Sequence, residues 1–200
     1  LEENGFSRVD FSDEADIYIL NTCSVTDNAD KKCRTTVKSV LKQNPEAYIV
    51  VIGCYAQLKP TEISQIPGVD MVLGAAEKFN MMEHLHSLKK EEEAIVFNKN
   101  IKETQDFVPA FSYGDRTRSF LKVQDGCDYF CSFCTIPLAR GKSRNATIAE
   151  TVTKAKEVAA TDIKEVVITG VNIGDFGADQ DYAETFYDLI VELDKVEGIE

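Results

Sequence analysis

Short β-rich runs that end in cysteine-bearing loops constrain this chain more than any other feature of it. ADIYILN leads into NTCSVTDN, AYIVVIG leads directly to Cys54, and RSFLKVQDG leads to CDYFCSFC at residues 127–134. Helical patterns alternate with these runs. From Asp27 to about Gln43, Ala29, Cys33, Val37, Val40 and Leu41 form an apolar stripe that Asn44-Pro45 stops. Such alternation predicts βαβ units, a mainly parallel sheet and an α/β fold. Cysteines at the ends of parallel strands stand where open α/β sheets bind ligands.

A short helix near Thr61 to Gln65, a strand VDMVLG and a helix from about Glu77 to Leu88 complete a first domain over 1–97. From 98 to 115 the pattern is lost, with Phe107, Pro109, Phe111 and Tyr113 in a polar setting, which reads as a linker. A second series occupies 116–200: a strand near Arg118 to Gln124, the cysteine loop, a helix from Thr147 to Ala160, the strand KEVVITG and a helix from about Tyr182 to Leu193.

Six cysteines in a 200-residue chain that is 44% hydrophobic do not read as a disulfide framework, because a core of this size needs no staples. Metal or catalysis is the better reading. No stretch approaches the apolar length of a membrane span, and the first residues lack the pattern of a signal peptide, so a cytoplasmic protein with no membrane partner is expected. The net charge of −12 argues against DNA and against general nucleic-acid affinity. Between Arg116 and Arg144, however, stand six basic residues (Arg116, Arg118, Lys122, Arg140, Lys142, Arg144) against two acidic ones (Asp125, Asp128).

The spacing C-x3-C-x2-C at Cys127, Cys131 and Cys134 is unlike structural zinc, which uses paired knuckles and four closed ligands. His84 and His86 lie two apart on the expected helix and point away from each other, so they complete no knuckle. Three thiolates suit a four-iron cluster in which one iron lacks a protein ligand. A non-enzymatic zinc module is the competing reading. Cys33, mid-helix on the apolar stripe, reads as core.

The run C-D-Y-F-C-S-F-C resembles the radical S-adenosylmethionine signature, and its continuation T-I-P-L-A-R-G-K-S-R is similar to that of the methylthiotransferases. Asn21-Thr22-Cys23-Ser24-Val25-Thr26 and Gly53-Cys54-Tyr55-Ala56-Gln57 resemble two cysteine motifs of that family's N-terminal domain. LARGKSRN and TGVNIGDFG are most similar to the branch acting on threonylcarbamoyl-adenosine at position 37 of tRNA, whereas the isopentenyl-adenosine and ribosomal-protein branches usually carry Gln after Gly in the second loop.

The resemblance implies a small parallel-sheet methylthiotransferase domain followed by the first part of a radical S-adenosylmethionine (β/α) partial barrel, in a fragment trimmed at both ends. It implies two [4Fe-4S] clusters, one on Cys127, Cys131 and Cys134 and an auxiliary one on Cys23, Cys54 and a third cysteine upstream. It also implies S-adenosylmethionine as cofactor, an electron donor, and the anticodon loop of tRNA as partner. No side chain is expected as a general acid, base or nucleophile, since an adenine C2–H gives such groups no foothold. Gly170, Asn172 and Gly174 are candidates for the methionine end of the cofactor, with an ordinary strand-to-helix turn as the alternative. Phe133 is a candidate for the adenine, with packing beneath the loop as the alternative. Arg140, Lys142 and Arg144, expected in an exposed loop, are candidates for tRNA phosphates. Asn145 stands where the family usually has Ser.

Overall fold

The computed structural model describes residues 1–23, 27–85, 88–104, 107–112, 117–178 and 184–199. Ser24, Val25, Thr26, His86, Tyr113, Arg116 and Tyr182, named above, lie outside the described residues, as does the side chain of Ala29. The chain forms two compact units, Leu1–Glu103 and Thr104–Glu200.

In the first unit, strands β1 (Ile17–Thr22), β2 (Tyr48–Gly53), β3 (Met71–Leu73) and β4 (Ile95–Phe97) form a four-stranded parallel sheet in that order. The α/β class read from the sequence is the class observed. Helix α1 (Asp27–Gln43) crosses between β1 and β2, and α2 (Cys54–Leu58) and α3 (Pro60–Ser64) lie between β2 and β3. The run YIVVIG is apolar throughout because both faces of β2 are covered. Ile49 and Val51 pack with Cys33, Val37 and Val40 of α1, while Tyr48 and Val50 pack with Met71, Leu73, Met81 and Leu85.

Two differences from the expected pattern have local causes. The helix expected from Glu77 to Leu88 is a 3₁₀ turn over Glu77–Asn80 followed by one α-turn, α4 (Met81–His84). The backbone changes direction at Asn80, whose φ of −93° and ψ of 15° are not helical. β4 was not legible, because three residues are too few for a period to show and Ile95 and Val96 are exposed at the sheet edge.

The second unit is built on β6 (Arg118–Lys122), flanked by β5 (Ala110–Phe111) antiparallel and β9 (Glu165–Thr169) parallel. The segment from 98 to 115, read as a linker, supplies a 3₁₀ turn over Ile101–Glu103 and the edge strand β5. Its hairpin is fastened by Phe120 N donating to Ser112 Oγ at 2.9 Å and Ser119 Oγ donating to Ser112 O at 3.0 Å. Beyond Val123 the chain leaves the β6 ladder. β7 (Gln124–Asp125) pairs instead with β8 (Arg144–Asn145), and the turn of helix α5 (Ile136–Arg140) lies between them. Helices α6 (Ile148–Ala159) and α7 (Phe186–Leu193) each start at a capping box, on Thr147 with Glu150 and on Thr185 with Asp188. They bury Ile148, Ala155, Leu189 and Leu193 against Leu121 and Val123.

Glu77, 3% exposed, ties the α4 segment to the residues after β4. Its carboxylate accepts from His84 Nε2 at 2.7 Å and faces Lys99 Nζ at 2.7 Å. Lys99 first, and then His84, hold this carboxyl below its ordinary range against the opposing effect of burial. A depressed folded-state pKa contributes stability that is complete above the unfolded value near about 4.3 and is lost as pH falls through the folded value. Glu77→Gln is expected to cost about 2 kcal/mol at neutral pH. The deficit should close below about pH 4, and denaturant titrations of parent and variant at neutral and acid pH measure both.

Candidate metal centre

The first sheet brings two of its cysteines to neighbouring strand ends. β1 and β2 run in parallel register with Thr22 opposite Gly53, so Cys23 and Cys54 each follow directly on that final pair. Cys23 is exposed, and Cys54, the first residue of α2, is half-buried. The turn into α2 requires glycine. Gly53 has φ 104° and ψ −164°, a region almost confined to glycine, and an added Cβ would lie 2.3 Å from Thr22 O. Cys33 is remote from this edge, 5% exposed in the core beside Val37 and Val40.

The second set of thiols hangs on a backbone crossing just as tight. Gly126 has φ +73°, and a Cβ there would fall 1.8 Å from Lys142 O, which the neighbouring backbone cannot yield. Next along, Cys127 N donates to Gly141 O at 3.1 Å, and Cys134 N donates to Cys131 O at 3.0 Å. The first residue of the 127–134 loop is thereby tied to Gly141, and a turn closes its last four residues. Cys127 and Cys134 are half-buried and Cys131 is exposed.

Beneath this loop lies a residue that sequence reasoning passed over. Gln124 is fully buried, and both ends of its carboxamide are in use. Nε2 stands within donating distance of Asp125 O at 3.1 Å, Gly126 O at 2.9 Å and Ser143 Oγ at 2.9 Å. Oε1 accepts from Val171 N at 2.8 Å and Asn172 N at 2.9 Å. One side chain therefore joins the start of the cysteine loop, the segment before β8 and the loop after β9. The signal available in the sequence was an amide at the end of a strand-like run, on the same alternation as Phe120 and Lys122 and next to Val123, where a polar group that becomes buried must find partners.

Its neighbour Asp125, also buried, gathers Arg140 at 3.3 Å, Lys122 at 3.5 Å and Arg144 at 3.8 Å, and accepts from Gly126 N at 3.0 Å. Burial pushes the Asp125 carboxyl up, but Lys122, Arg140 and Arg144 together with the Gly126 amide outweigh it and hold the group below its ordinary range.

This corrects the expectation that Arg140, Lys142 and Arg144 alternate in an exposed loop. Arg140 ends α5 and pairs with Asp125; the Arg144 side chain, 12% exposed, also donates to Arg140 O at 2.6 Å and Lys142 O at 3.0 Å. Lys142 does stand exposed. Asn145, buried at the departure from the usual Ser, accepts from Gly177 N at 2.9 Å and so steadies the loop after β9.

Of the cofactor candidates, Gly170 lines a recess of about 340 Å³, together with the tRNA candidate Arg140 and with Phe111, Phe120, Lys122 and Gln124. A Cβ at Gly170 would press on Gln124 at 3.0 Å, so the bare backbone is what lets this loop lie against the carboxamide. Asn172 Nδ2 donates to Asp175 Oδ2 at 2.6 Å, and Tyr129 of the cysteine loop reaches Asp175 Oδ1 at 3.4 Å. Gly174 sits in the 3₁₀ turn Ile173–Asp175, where an added Cβ would make only an ordinary contact with Asn172 Oδ1 at 3.7 Å. Phe133 is 89% exposed, which removes the alternative of packing beneath the loop.

Among the described residues, no group of three or more His, Cys, Asp or Glu side chains converges on a single metal ion, so the closed four-ligand set of structural zinc is not formed there. A four-iron cluster makes a different demand, because each thiolate binds its own iron and the three sulfurs surround one cubane instead of meeting at one ion. Three free thiols carried by one anchored loop fit that demand in number and in kind.

A family model described as "Uncharacterized protein family UPF0004" matches residues 1–74. The threonylcarbamoyladenosine tRNA methylthiotransferase MtaB of Bacillus subtilis is 42% identical, with 100% of this chain and 45% of the relative covered. Over its whole length, the chain is similar to tRNA methylthiotransferases. The MtaB of Thermotoga maritima is 38% identical over 90% of this chain and 41% of the relative. A tRNA-2-methylthio-N(6)-dimethylallyladenosine synthase of Clostridium botulinum is 30% identical over 100% of this chain and 46% of the relative. The chain spans about half the length of the curated methylthiotransferases it matches.

Gly126→Ala tests the crossing under the cysteine loop. It is expected to cost 2 kcal/mol or more, roughly, since positive φ and a backbone clash coincide. Thiol-reactive labelling of Cys127 should accelerate in the variant while that of buried Cys33 stays slow.

Proposed function

We propose that this chain is part of a tRNA-modifying methylthiotransferase that adds a methylthio group to C2 of N6-threonylcarbamoyladenosine at position 37 by radical S-adenosylmethionine chemistry. The observation that carries the reading is the similarity to threonylcarbamoyladenosine tRNA methylthiotransferases, at 42% identity over 100% of this chain to one and 38% over 90% of it to another. The dimethylallyladenosine synthases are more distant at about 30%, which favours the threonylcarbamoyl branch over the same chemistry on isopentenyladenosine tRNA.

In this reading residues 1–97 hold the auxiliary cluster, 98–115 connect, and 116–200 begin the radical domain. Cys127, Cys131 and Cys134 hold one cluster, and Cys23 and Cys54 contribute to the other. When bound, the first cluster supplies the electron that splits S-adenosylmethionine and so gives access to a C2–H that neither base nor nucleophile can attack. The chain's own residues bind and orient. Gly170, at the recess, and Asn172 and Gly174 after it offer backbone to the methionine end of the cofactor, and Phe133 offers an exposed ring to its adenine. Lys142 is the candidate that meets a tRNA phosphate directly; Arg140 and Arg144, held by Asp125, shape the segment that carries it. The protein works in the cytoplasm with a reducing partner. No described helix is long and apolar enough to cross a membrane.

Anaerobic reconstitution of the intact protein should load about four irons at the second-unit site and support S-adenosylmethionine cleavage. Cys127→Ala, Cys131→Ala and Cys134→Ala should each abolish cleavage, whereas Cys33→Ala should leave iron content unchanged. Mass analysis of tRNA bearing threonylcarbamoyl-adenosine should show the methylthio product; its absence there, with product on isopentenyladenosine tRNA, would reject the branch. Colourless protein with stoichiometric zinc would reject the enzyme.

A further inference from the structure

Resting on the reading above, we infer that Gln124 is the positioning residue that fixes the cysteine loop against the cofactor-contacting loop after β9. The geometry is that of a clamp. Val171 N and Asn172 N both end on Gln124 Oε1, at 2.8 and 2.9 Å. The Nε2 side ends on Gly126 O and Ser143 Oγ, each at 2.9 Å, one residue before Cys127 and beside the segment that anchors it.

The carbonyl oxygen of an amide has two lone pairs and its nitrogen two protons, so this set saturates the group and leaves no other orientation that satisfies it. Gly170 removes the one Cβ that would push the loop off the amide. A second, weaker tie runs from Tyr129 through Asp175 to Asn172. Both link the same two loops. A donor or acceptor lost here leaves buried partners unpaired, so the loops gain alternative placements rather than sliding to a new fixed one. Gln124 lines the recess but its polar atoms are spent on protein groups, so it acts through the loops.

Two near-isosteric variants separate the ends of the clamp. Gln124→Met removes both, and Gln124→Glu keeps an acceptor for Val171 and Asn172 while removing the donors toward Gly126 and Ser143. Hydrogen exchange on the protein before reconstitution should show the Val171 and Asn172 amides at least tenfold faster in Gln124→Met and close to the parent in Gln124→Glu. Leu121 and Ile168, within the β6–β9 ladder, should be unchanged in both. In the reconstituted intact protein, Gln124→Met should retain its iron yet raise the KM for S-adenosylmethionine at least tenfold, with Gln124→Glu rescuing most of that rise.

Acceleration spread equally over Leu121 and Ile168 would reduce Gln124 to a packing residue and overturn the inference. So would parental exchange at Val171 and Asn172 in Gln124→Met. Should that variant not fold, Gln124→Glu carries the test: an exchange rate at Gly126 and Cys127 equal to the parent's overturns it, and a tenfold rise confined to them supports it. Failure of the parent itself to load iron or cleave the cofactor counts against the functional reading, whereas the exchange results stand apart from it.

Discussion

Loops that leave the ends of parallel strands carry backbone groups that no ladder can pair, and burying them unpaired is costly. In both units a glutamine meets this demand. Gln124 does so in the second. In the first, Gln57 Oε1 accepts from Ala75 N at 2.8 Å, Gln57 Nε2 donates to Lys99 O at 3.2 Å, and Gln57 O accepts from Asn98 Nδ2 at 3.2 Å. Each carboxamide reaches across to loops distant in sequence, which a hydroxyl is too short to do and a carboxylate, lacking donors, can do on one side only. Gln57 lies three residues after Cys54, and Gln124 three before Cys127. The loops nearest the thiols are thus fixed in part by neutral groups that do not change with pH, beside the charged cluster on Asp125.

Glycine supplies the complementary freedom. Where Gln57 and Gln124 draw segments together, Gly53, Gly74, Gly126 and Gly170 remove the side chain that would keep them apart; a Cβ at Gly74 would stand 2.4 Å from Asn98 Oδ1. A clamp and a gap occur together at each strand end. Neither works alone, since a carboxamide beside a bulky neighbour could not reach its partners and a glycine without the clamp would only loosen the chain.

The parallel core was legible because burial on both faces leaves a continuous apolar run at AYIVVIG, and α1 because Cys33, Val37, Val40 and Leu41 repeat at helical spacing. The positions of Cys23 and Cys54 at strand ends were legible for the same reason. β4, β5 and β7 were not, each being two or three residues that are strands only because a neighbour pairs with them. Gln124 and Asp125 stayed hidden for a different cause. Their partners, Val171, Asn172, Ser143, Arg140 and Arg144, lie 15 to 48 positions away, and no local pattern marks a bond of that reach.

Charge was the least readable property of all, because counting treats every cation as facing solvent. The local excess between Arg116 and Arg144 includes Lys122, Arg140 and Arg144, three cations converging on one buried carboxylate. Their field outside the protein is partly cancelled at the source, while the partly buried Arg144 guanidinium spends its donors on the carbonyls of Arg140 and Lys142. Much of what the count presents as a phosphate-binding strip is thus turned toward Asp125, while the Arg140 side chain stays 38% exposed beside exposed Lys142.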